Sequence, residues 1–211
     1  MPLNLVKQNI VIYGEQLNPA IYDALWLVGR QIVNERDLVG PRIQTPILSA
    51  IKTADLEIVV LPERIQAAPI DPLANDDRAS HVIRRTVREL PGTAYRAIGI
   101  NFQWQLLMEP DSIQEFSRNA FLKSDDPFWR EAGAVGGIAG ASLTSLALEG
   151  RRKIFIDPLI PDYSVTAPPA GFVIDFNYHY DATDGAMVEQ ALAHRQAAHE
   201  ETDRLAHLLV R

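Results

Sequence analysis

The sequence contains no cysteine, and this absence excludes several kinds of site at once. Without thiols there is no disulfide scaffold, no Cys-ligated zinc or iron–sulfur centre and no thiol nucleophile. A chain of 211 residues can nevertheless bury a core without such supports, because a domain of about 150 residues already buries about 70% of its unfolded surface. We therefore expect a single domain that is stabilised by packing.

Basic residues are scarce: 20 Lys and Arg stand against 27 Asp and Glu, and the formal net charge is −7. A general nucleic-acid binder or a protein that binds anionic lipids needs basic residues in excess, so the composition argues against both classes. Hydrophobic residues make up 47% of the chain, as in ordinary globular proteins, which excludes disordered and fibrous chains.

Long apolar runs are also missing. The longest uncharged stretch, residues 132–148, has 17 residues and includes four glycines, whereas a membrane-spanning helix needs about 20 mostly apolar residues. Residues 1–13 contain Lys7 as their only basic side chain and lack the continuous apolar run of a secretory signal. We predict a cytoplasmic protein that does not associate with membranes.

The hydrophobic pattern predicts more strands than helices. Residues that alternate between apolar and polar, or that are rich in β-branched side chains, predict strands at 9–13, 56–61, 64–70, 94–107, 143–148, 153–156 and 172–180. Capping residues and helical periodicity predict helices after Asn18-Pro19, from 76 or 77 to 90, from 109 to 121 and from 186 to about 209.

Hairpins and two long strands, 94–107 and 172–180, dominate this arrangement, and the strand–helix–strand alternation of a parallel sheet is absent. We therefore predict an α+β fold in which helices, including a long C-terminal helix, cover a largely antiparallel sheet. The apolar face of the two long strands, which carries Phe102, Trp104, Phe176 and Tyr178, is the predicted core.

Residues 100–104 (INFQW) and 174–178 (IDFNY) share a pattern, and each segment leads into an acidic turn and a helix. This similarity favours two related halves, about 1–123 and 124–211, that contribute to one sheet. The alternative is a domain without internal symmetry, because strand alternation alone also produces such matches.

The two long strands carry a polar face opposite the apolar one. Alternation places six polar residues there: Asn101, Gln103, Gln105, Asp175, Asn177 and His179. These groups could hydrogen-bond a peptide or a small polar ligand, and the alternative is an ordinary solvated sheet face. Asp175 and His179 are about 13 Å apart along one strand, too far for a shared metal ion or a dyad. A catalytic pair would need a residue of another strand, such as Asp157.

Four basic residues lie at helical spacing on the helix predicted to end near residue 90: His81, Arg84, Arg85 and Arg88. Such a stripe could bind phosphate or an acidic partner. The alternative is that these residues form ion pairs within an acidic chain or are simply solvated.

The remaining motifs do not indicate an enzyme. The glycine run 133–140 is not followed by the Lys-Ser/Thr of a phosphate-binding loop, so a flexible loop is the better interpretation. His194, His199 and His207 contain no pair at i,i+4 spacing, which disfavours a metal site on the final helix. Nucleophile-elbow, zinc-protease, EF-hand and dinucleotide motifs are absent from the sequence. We therefore assign no catalytic residue and expect no cofactor and no metal ion.

Three short motifs are spread over most of the chain: Asn18-Pro19-Ala20-Ile21 followed by Trp26, the segment AIGIN at 97–101, and DFNYHY at 175–180. In these segments and in their order, the sequence resembles a group of uncharacterised bacterial proteins with N-P-x-I, A-x-G-I-N and D-F-x-Y motifs. That group has no assigned activity. The resemblance therefore implies a bacterial protein of the predicted fold and assigns no site.

Three functional hypotheses follow. The first is a non-catalytic interaction or assembly protein that works in a homo-oligomer or with a protein partner, where Leu205, Leu208 and Leu209 of the final helix could form a subunit contact. The second is a hydrolase-like enzyme that uses the polar sheet face around Asp175 and His179. The third is a structural subunit of a large, phage-like assembly. A deep pocket would favour the enzyme, and a flat apolar surface would favour assembly.

Overall fold

The computed structural model describes residues 1–74, 77–121, 138–159 and 170–210. The strands of its sheet are β1 (Leu3–Gly14), β2 (Ile43–Gln44), β3 (Ser49–Lys52), β4 (Leu56–Leu61), β5 (Arg64–Pro69), β6 (Tyr95–Leu107), β7 (Ala141–Ala147), β8 (Gly150–Pro158) and β9 (Gly171–Asp181). The α-helices of the described residues are α1 (Ala24–Gly29), α2 (Arg78–Glu89), α3 (Pro110–Phe121), α4 (Gly185–Ala193) and α5 (Arg195–Leu209). Single 3₁₀ turns lie at Pro19–Ile21 and Glu35–Asp37.

All the strands belong to one antiparallel sheet with the order β2-β3-β4-β5-β1-β6-β9-β8-β7. The two long strands predicted from alternation are β6 and β9, which pair from Ala97 opposite Asp181 to Leu107 opposite Gly171. The predicted hairpins are present as β4–β5 and β7–β8. The prediction of an α+β fold with a largely antiparallel sheet is confirmed.

The core lies between the sheet and a layer of helices. Phe102, Trp104, Phe176 and Tyr178 are at most 6% exposed and belong to one buried cluster, which confirms the predicted core face. Helix α2 packs on β1 and β5, α4 packs on β6, and α5 packs on β6 and β9. The helices thus lie on the apolar side of the central strands, and the polar residues of these strands point the other way.

The order of elements repeats along the chain. The first unit runs β1–α1–β2–β3–β4–β5–α2, and the second runs β6–α3–β7–β8–β9 followed by α4 and α5. The two-residue strand β2 has no counterpart among the described residues of the second unit. The first strands of both units, β1 and β6, meet at the centre of the sheet, and the remaining strands follow in matching order on either side. This repeat divides the chain between α2 and β6, not near residue 123.

The two similar segments of the sequence, 100–104 and 174–178, lie in the same unit. They form neighbouring strands and pair with each other, with Phe102 opposite Phe176. They are cross-strand partners and not equivalent positions of the repeat. Both have the same alternation because both strands are buried on one face and polar on the other.

The N-terminal part differs from the prediction of one helix after Asn18-Pro19. Asn18 caps only the 3₁₀ turn, where its Oδ1 accepts a hydrogen bond from the N–H of Ala20 at 3.1 Å. The α-helix begins later, because the Asp23 carboxylate accepts from the N–H of Trp26 at 2.6 Å and caps α1. Strand β1 is also longer than predicted.

The final helix is divided at His194 into α4 and α5. Leu205 and Leu209 pack against the main core, whereas Leu208 is 47% exposed. Two of the three leucines considered for a subunit contact therefore cover the sheet of their own chain.

Some predictions lie outside the described residues, namely most of the glycine run at 133–140. Among the described residues, no helix combines the length and the apolar character that crossing a membrane requires.

Candidate functional site

An asparagine ladder crosses the three central strands on the polar face of the sheet. Asn9 of β1 lies opposite Asn101 of β6, which in turn lies opposite Asn177 of β9. The Nδ2 group of Asn101 donates to Asn9 Oδ1 at 2.7 Å, and the Nδ2 group of Asn177 donates to Asn101 Oδ1. Directly opposed residues in antiparallel strands are about 5 Å apart, so an amide can donate to one neighbour and accept from the other.

A second polar row lies beside the ladder. It joins Lys7, Gln103, Asp175 and Phe155, which occupy β1, β6, β9 and β8 in that order. The Nε2 group of Gln103 donates to Asp175 Oδ1 at 2.8 Å. The hydrogen-bond partner of the Asp175 carboxylate is therefore an amide, which does not exchange protons in catalysis, and not a histidine.

Lys153 closes the site on the side of β8. It pairs with Asn177 at the end of the ladder, and its Nζ lies 4.2 Å from the centroid of the Phe155 ring, a cation–π contact. Lys7 and Lys153 are both exposed, and Asp175 is the one acidic residue of the two rows. The centre of the face is thus locally positive in a chain of net charge −7.

Together these residues line an open depression of about 330 Å³. We call this surface the amide face and define it by Lys7, Asn9, Asn101, Gln103, Lys153, Phe155, Asp175 and Asn177. Apart from the two lysines, these side chains are half-buried, and their backbones belong to the four adjacent strands β1, β6, β9 and β8. The amide face is therefore rigidly supported and open to a ligand.

Four of the six residues predicted for a polar site belong to the amide face: Asn101, Gln103, Asp175 and Asn177. The other two lie on the same side of the sheet but outside it. Gln105 pairs with Asn4 and Val173, one row beyond Gln103. His179 lies opposite Gly99, one row beyond the ladder, with its Nε2 at 3.5 Å from Asp181 Oδ1.

The sequence did not reveal the other four members: Lys7, Asn9, Lys153 and Phe155. They lie on the strands that flank β6 and β9, and a single sequence does not specify which strands become neighbours. Strand alternation indicates that Lys153 and Phe155 point to one side of β8 and Ile154 to the other. It does not indicate that β8 lies beside Asp175 and Asn177.

The arginines of the predicted basic stripe form ion pairs within the chain. Arg84 contacts Glu189 at 2.6 Å, and Arg88 contacts the same carboxylate group at 2.8 Å. Arg85 donates to the carbonyl of Arg30 at 3.0 Å. The guanidinium groups thus join α2 to α4 and to the end of α1, as the alternative interpretation of the stripe expects. His81 is exposed on α2.

A second polar cluster lies under α5, on the apolar side of the sheet. The Tyr178 hydroxyl donates to Glu201 at 2.7 Å, and Arg152 pairs with Glu201 at 2.8 Å. Tyr180 stacks on His194 with a centroid distance of 5.7 Å. Burial and the Glu201 carboxylate raise the pKa of both tyrosines, and that of Tyr180 rises to about 12. These interactions attach α5 to β8 and β9, which is a structural role.

The described residues contain no group of three His, Asp or Glu side chains arranged to hold a metal ion. The chain matches no protein-family model, and no curated protein matches it. The function proposed below therefore depends on the chemistry of the amide face.

Proposed function

We propose that this chain is a non-catalytic interaction protein and that the amide face binds an extended, polar segment of a protein partner. The supporting observation is the asparagine ladder. Each asparagine amide has two N–H donors and two acceptor lone pairs, and Asn101 uses one of each within the ladder. The remaining donors and acceptors recur from strand to strand, about 4.8 Å apart, and can form hydrogen bonds with the N–H and C=O groups of a polypeptide.

The charges of the amide face support a partner with acidic side chains. Lys7 and Lys153 stand on either side of the single carboxylate of Asp175, so the surface has a local excess of positive charge. Complementary charge across an interface accelerates association and excludes partners of the wrong sign. The Phe155 ring adds an apolar contact that a purely solvated face would lack.

The geometry favours binding over the hydrolase alternative. Asn177 lies between Asp175 and His179 on the same strand, and these two residues hold different partners: Gln103 for Asp175 and Asp181 for His179. A hydrolytic mechanism needs a base within hydrogen-bond reach of a nucleophile or water. The depression is also open, whereas the enzyme hypothesis expected a deep pocket.

A charge-reversal experiment tests the proposal. Wild-type protein, Lys153→Glu and Arg204→Glu are each used as bait in a lysate of the native host. Both replaced residues are exposed and lose a positive charge, but Lys153 is on the amide face and Arg204 is on α5, in the helix layer.

We expect a partner that is captured by the wild type and by Arg204→Glu and is lost with Lys153→Glu. Identical partners for all three baits, or loss with Arg204→Glu alone, would contradict a binding role of the amide face. The cytoplasmic location stays a prediction from the sequence.

A further inference from the structure

Strand β7 forms one edge of the sheet. It pairs with β8 from Ala141 opposite Ile156 to Ala147 opposite Gly150, and the described residues contain no strand on its other side. The connecting turn, Leu148-Glu149, has φ angles of 49° and 62°, as in a type I′ turn. In such a hairpin the residues that flank the turn form a hydrogen-bonded pair, and bonded pairs alternate along the strands.

This alternation determines which backbone groups of β7 are available. Ala147 and every second residue before it direct their N–H and C=O groups toward β8. Ser142, Thr144 and Leu146 therefore direct theirs away from the sheet. The outer edge thus presents three N–H donors and three C=O acceptors in a row.

Within residues 141–147, the edge of β7 lacks the sequence features that usually prevent strand pairing. Residues 141–147 (ASLTSLA) contain no charged residue and no proline, and their register with β8 is unbroken by a bulge. Leu143 and Leu146 are 54% and 85% exposed. The opposite edge is different, because β2 has two residues and lies between Pro41 and Pro46. Among the described residues, the edge at β2 is protected and the edge at β7 is unpaired.

We propose that β7 pairs with β7 of a second copy of this chain, antiparallel about a two-fold axis at Thr144, so that two sheets join into one. The outward groups at Ser142, Thr144 and Leu146 are symmetric about Thr144. This axis pairs Thr144 with its counterpart and Ser142 with Leu146 of the second copy, and all six groups on each strand find a partner. A shift of the axis to residue 143 or 145 leaves one of the three residues unpaired.

The side chains of β7 complement those of an identical strand. On the side of the sheet opposite the helices, Thr144 lies against its counterpart and Leu146 lies against Ser142. On the helix side, Leu143 lies against Ser145. Threonine pairs across antiparallel strands are favourable, and like charges, which would oppose self-pairing, are absent. Because the edge carries no charge, it cannot attract a strand of another protein through complementary charges. A second copy of this chain is therefore the favoured occupant. A two-fold pairing of this kind closes on itself and does not propagate.

Single cysteines test this register directly, because the natural sequence contains none. In Thr144→Cys the two Cα atoms are about 5.5 Å apart in the proposed pair, within disulfide range. The control is Ser142→Cys, on the same strand and face and also exposed. Its two copies would be separated by four residues along the strands, about 13 Å. We expect mild oxidation of the full chain to give a disulfide-linked dimer with Thr144→Cys and not with Ser142→Cys. A monomer with Thr144→Cys, or equal cross-linking of both variants, would overturn the proposal.

Charge substitutions provide an independent measurement. In sedimentation experiments we expect the wild type and Thr144→Val to dimerise, whereas Thr144→Lys and Thr144→Glu weaken dimerisation more than about tenfold, because each places like charges opposite each other. An equimolar mixture of the Lys and Glu variants should restore the dimer. Thr144→Lys that dimerises like the wild type would overturn the proposal, as would a wild type that stays monomeric. Thr144 is not a member of the amide face but lies opposite Lys153 of β8, so a charge at residue 144 also changes the surroundings of that lysine. The cysteine cross-link introduces no charge, and it therefore separates this proposal from the outcome of the capture experiment.

Discussion

The asparagine ladder predicts a specific loss of stability when its middle residue is removed. In Asn101→Ala, the Asn9 Oδ1 and the Asn177 Nδ2 lose their hydrogen-bond partner together. A typical intramolecular hydrogen bond contributes about 0.5–1.5 kcal/mol net, and water can reach these half-buried groups, so we place the loss for both bonds at about 1–2 kcal/mol. Asn9→Ala removes one bond and should cost about half as much.

The measurement is the free energy of unfolding from urea titration. Alanine itself is less favourable than most residues in a strand, so the matched control is Gln105→Ala, on the same strand and face but outside the ladder. We expect Asn101→Ala to lose about 1–2 kcal/mol more than Gln105→Ala. Equal losses in the two variants would show that the ladder bonds contribute nothing to stability and would refute this reasoning.

Two further predictions concern glycines and a buried tyrosine. A Cβ at Gly99 would meet Asn101 and Asn177 at ordinary contact distances of 3.7 Å, so Gly99→Ala should stabilise the fold by about 0.5–1 kcal/mol. Gly171 has a φ of 142°, and a Cβ there would lie 1.8 Å from the Leu106 carbonyl oxygen. Gly171→Ala should therefore lower the free energy of unfolding by about 3 kcal/mol or more. Similar melting temperatures for Gly99→Ala and Gly171→Ala would contradict the argument. Burial raises the pKa of Tyr180 to about 12, so between about pH 10 and pH 12 this hydroxyl stays protonated in the folded chain but ionises in the unfolded chain. The contribution of Tyr180 to the free energy of unfolding should therefore be complete below about pH 10 and be lost as the pH rises toward 12. Unfolding measured at a series of pH values should show a shallower fall in stability for Tyr180→Phe than for the wild type. An unchanged slope of stability against pH would contradict the assignment.

The two long strands were predictable because each has an unbroken period of two. Phe102 and Trp104 alternate with amides, and Phe176 and Tyr178 do the same in β9. Strand β1 lacks such a pattern. A register shift between Leu5 and Lys7 breaks its alternation, and Gln8 is buried on the helix side. Its amide is satisfied there by the Pro72 carbonyl and by Arg195. Tertiary contacts of this kind leave no local signal, so only the regular end of β1 was predicted.

The amide face was half predictable for a related reason. Alternation assigns Asn101 and Asn177 to one side of their strands, and this required no knowledge of the topology. Their contact with Asn9 depends on β1 lying beside β6, which is separated from it by about ninety residues of chain. Helix ends present the same difficulty, because both Asn18 and Asp23 are capping residues and only the fold shows which of them begins α1.

The geometry of the amide face follows from the packing on the other side of the sheet. The ladder crosses from the first unit to the second, since Asn9 belongs to β1 and Asn101 to β6. A slip of one residue between these strands would turn every side chain to the opposite face. Such a slip is opposed by the core, where Ile10 and Ile12 lie opposite Ile100 and Ile98 and all four are at most 1% exposed. The apolar side of the β1–β6 pair thus sets the register that aligns the asparagines. Under the proposed function, a partner would meet polar groups that are already ordered, which lowers the entropic cost of binding.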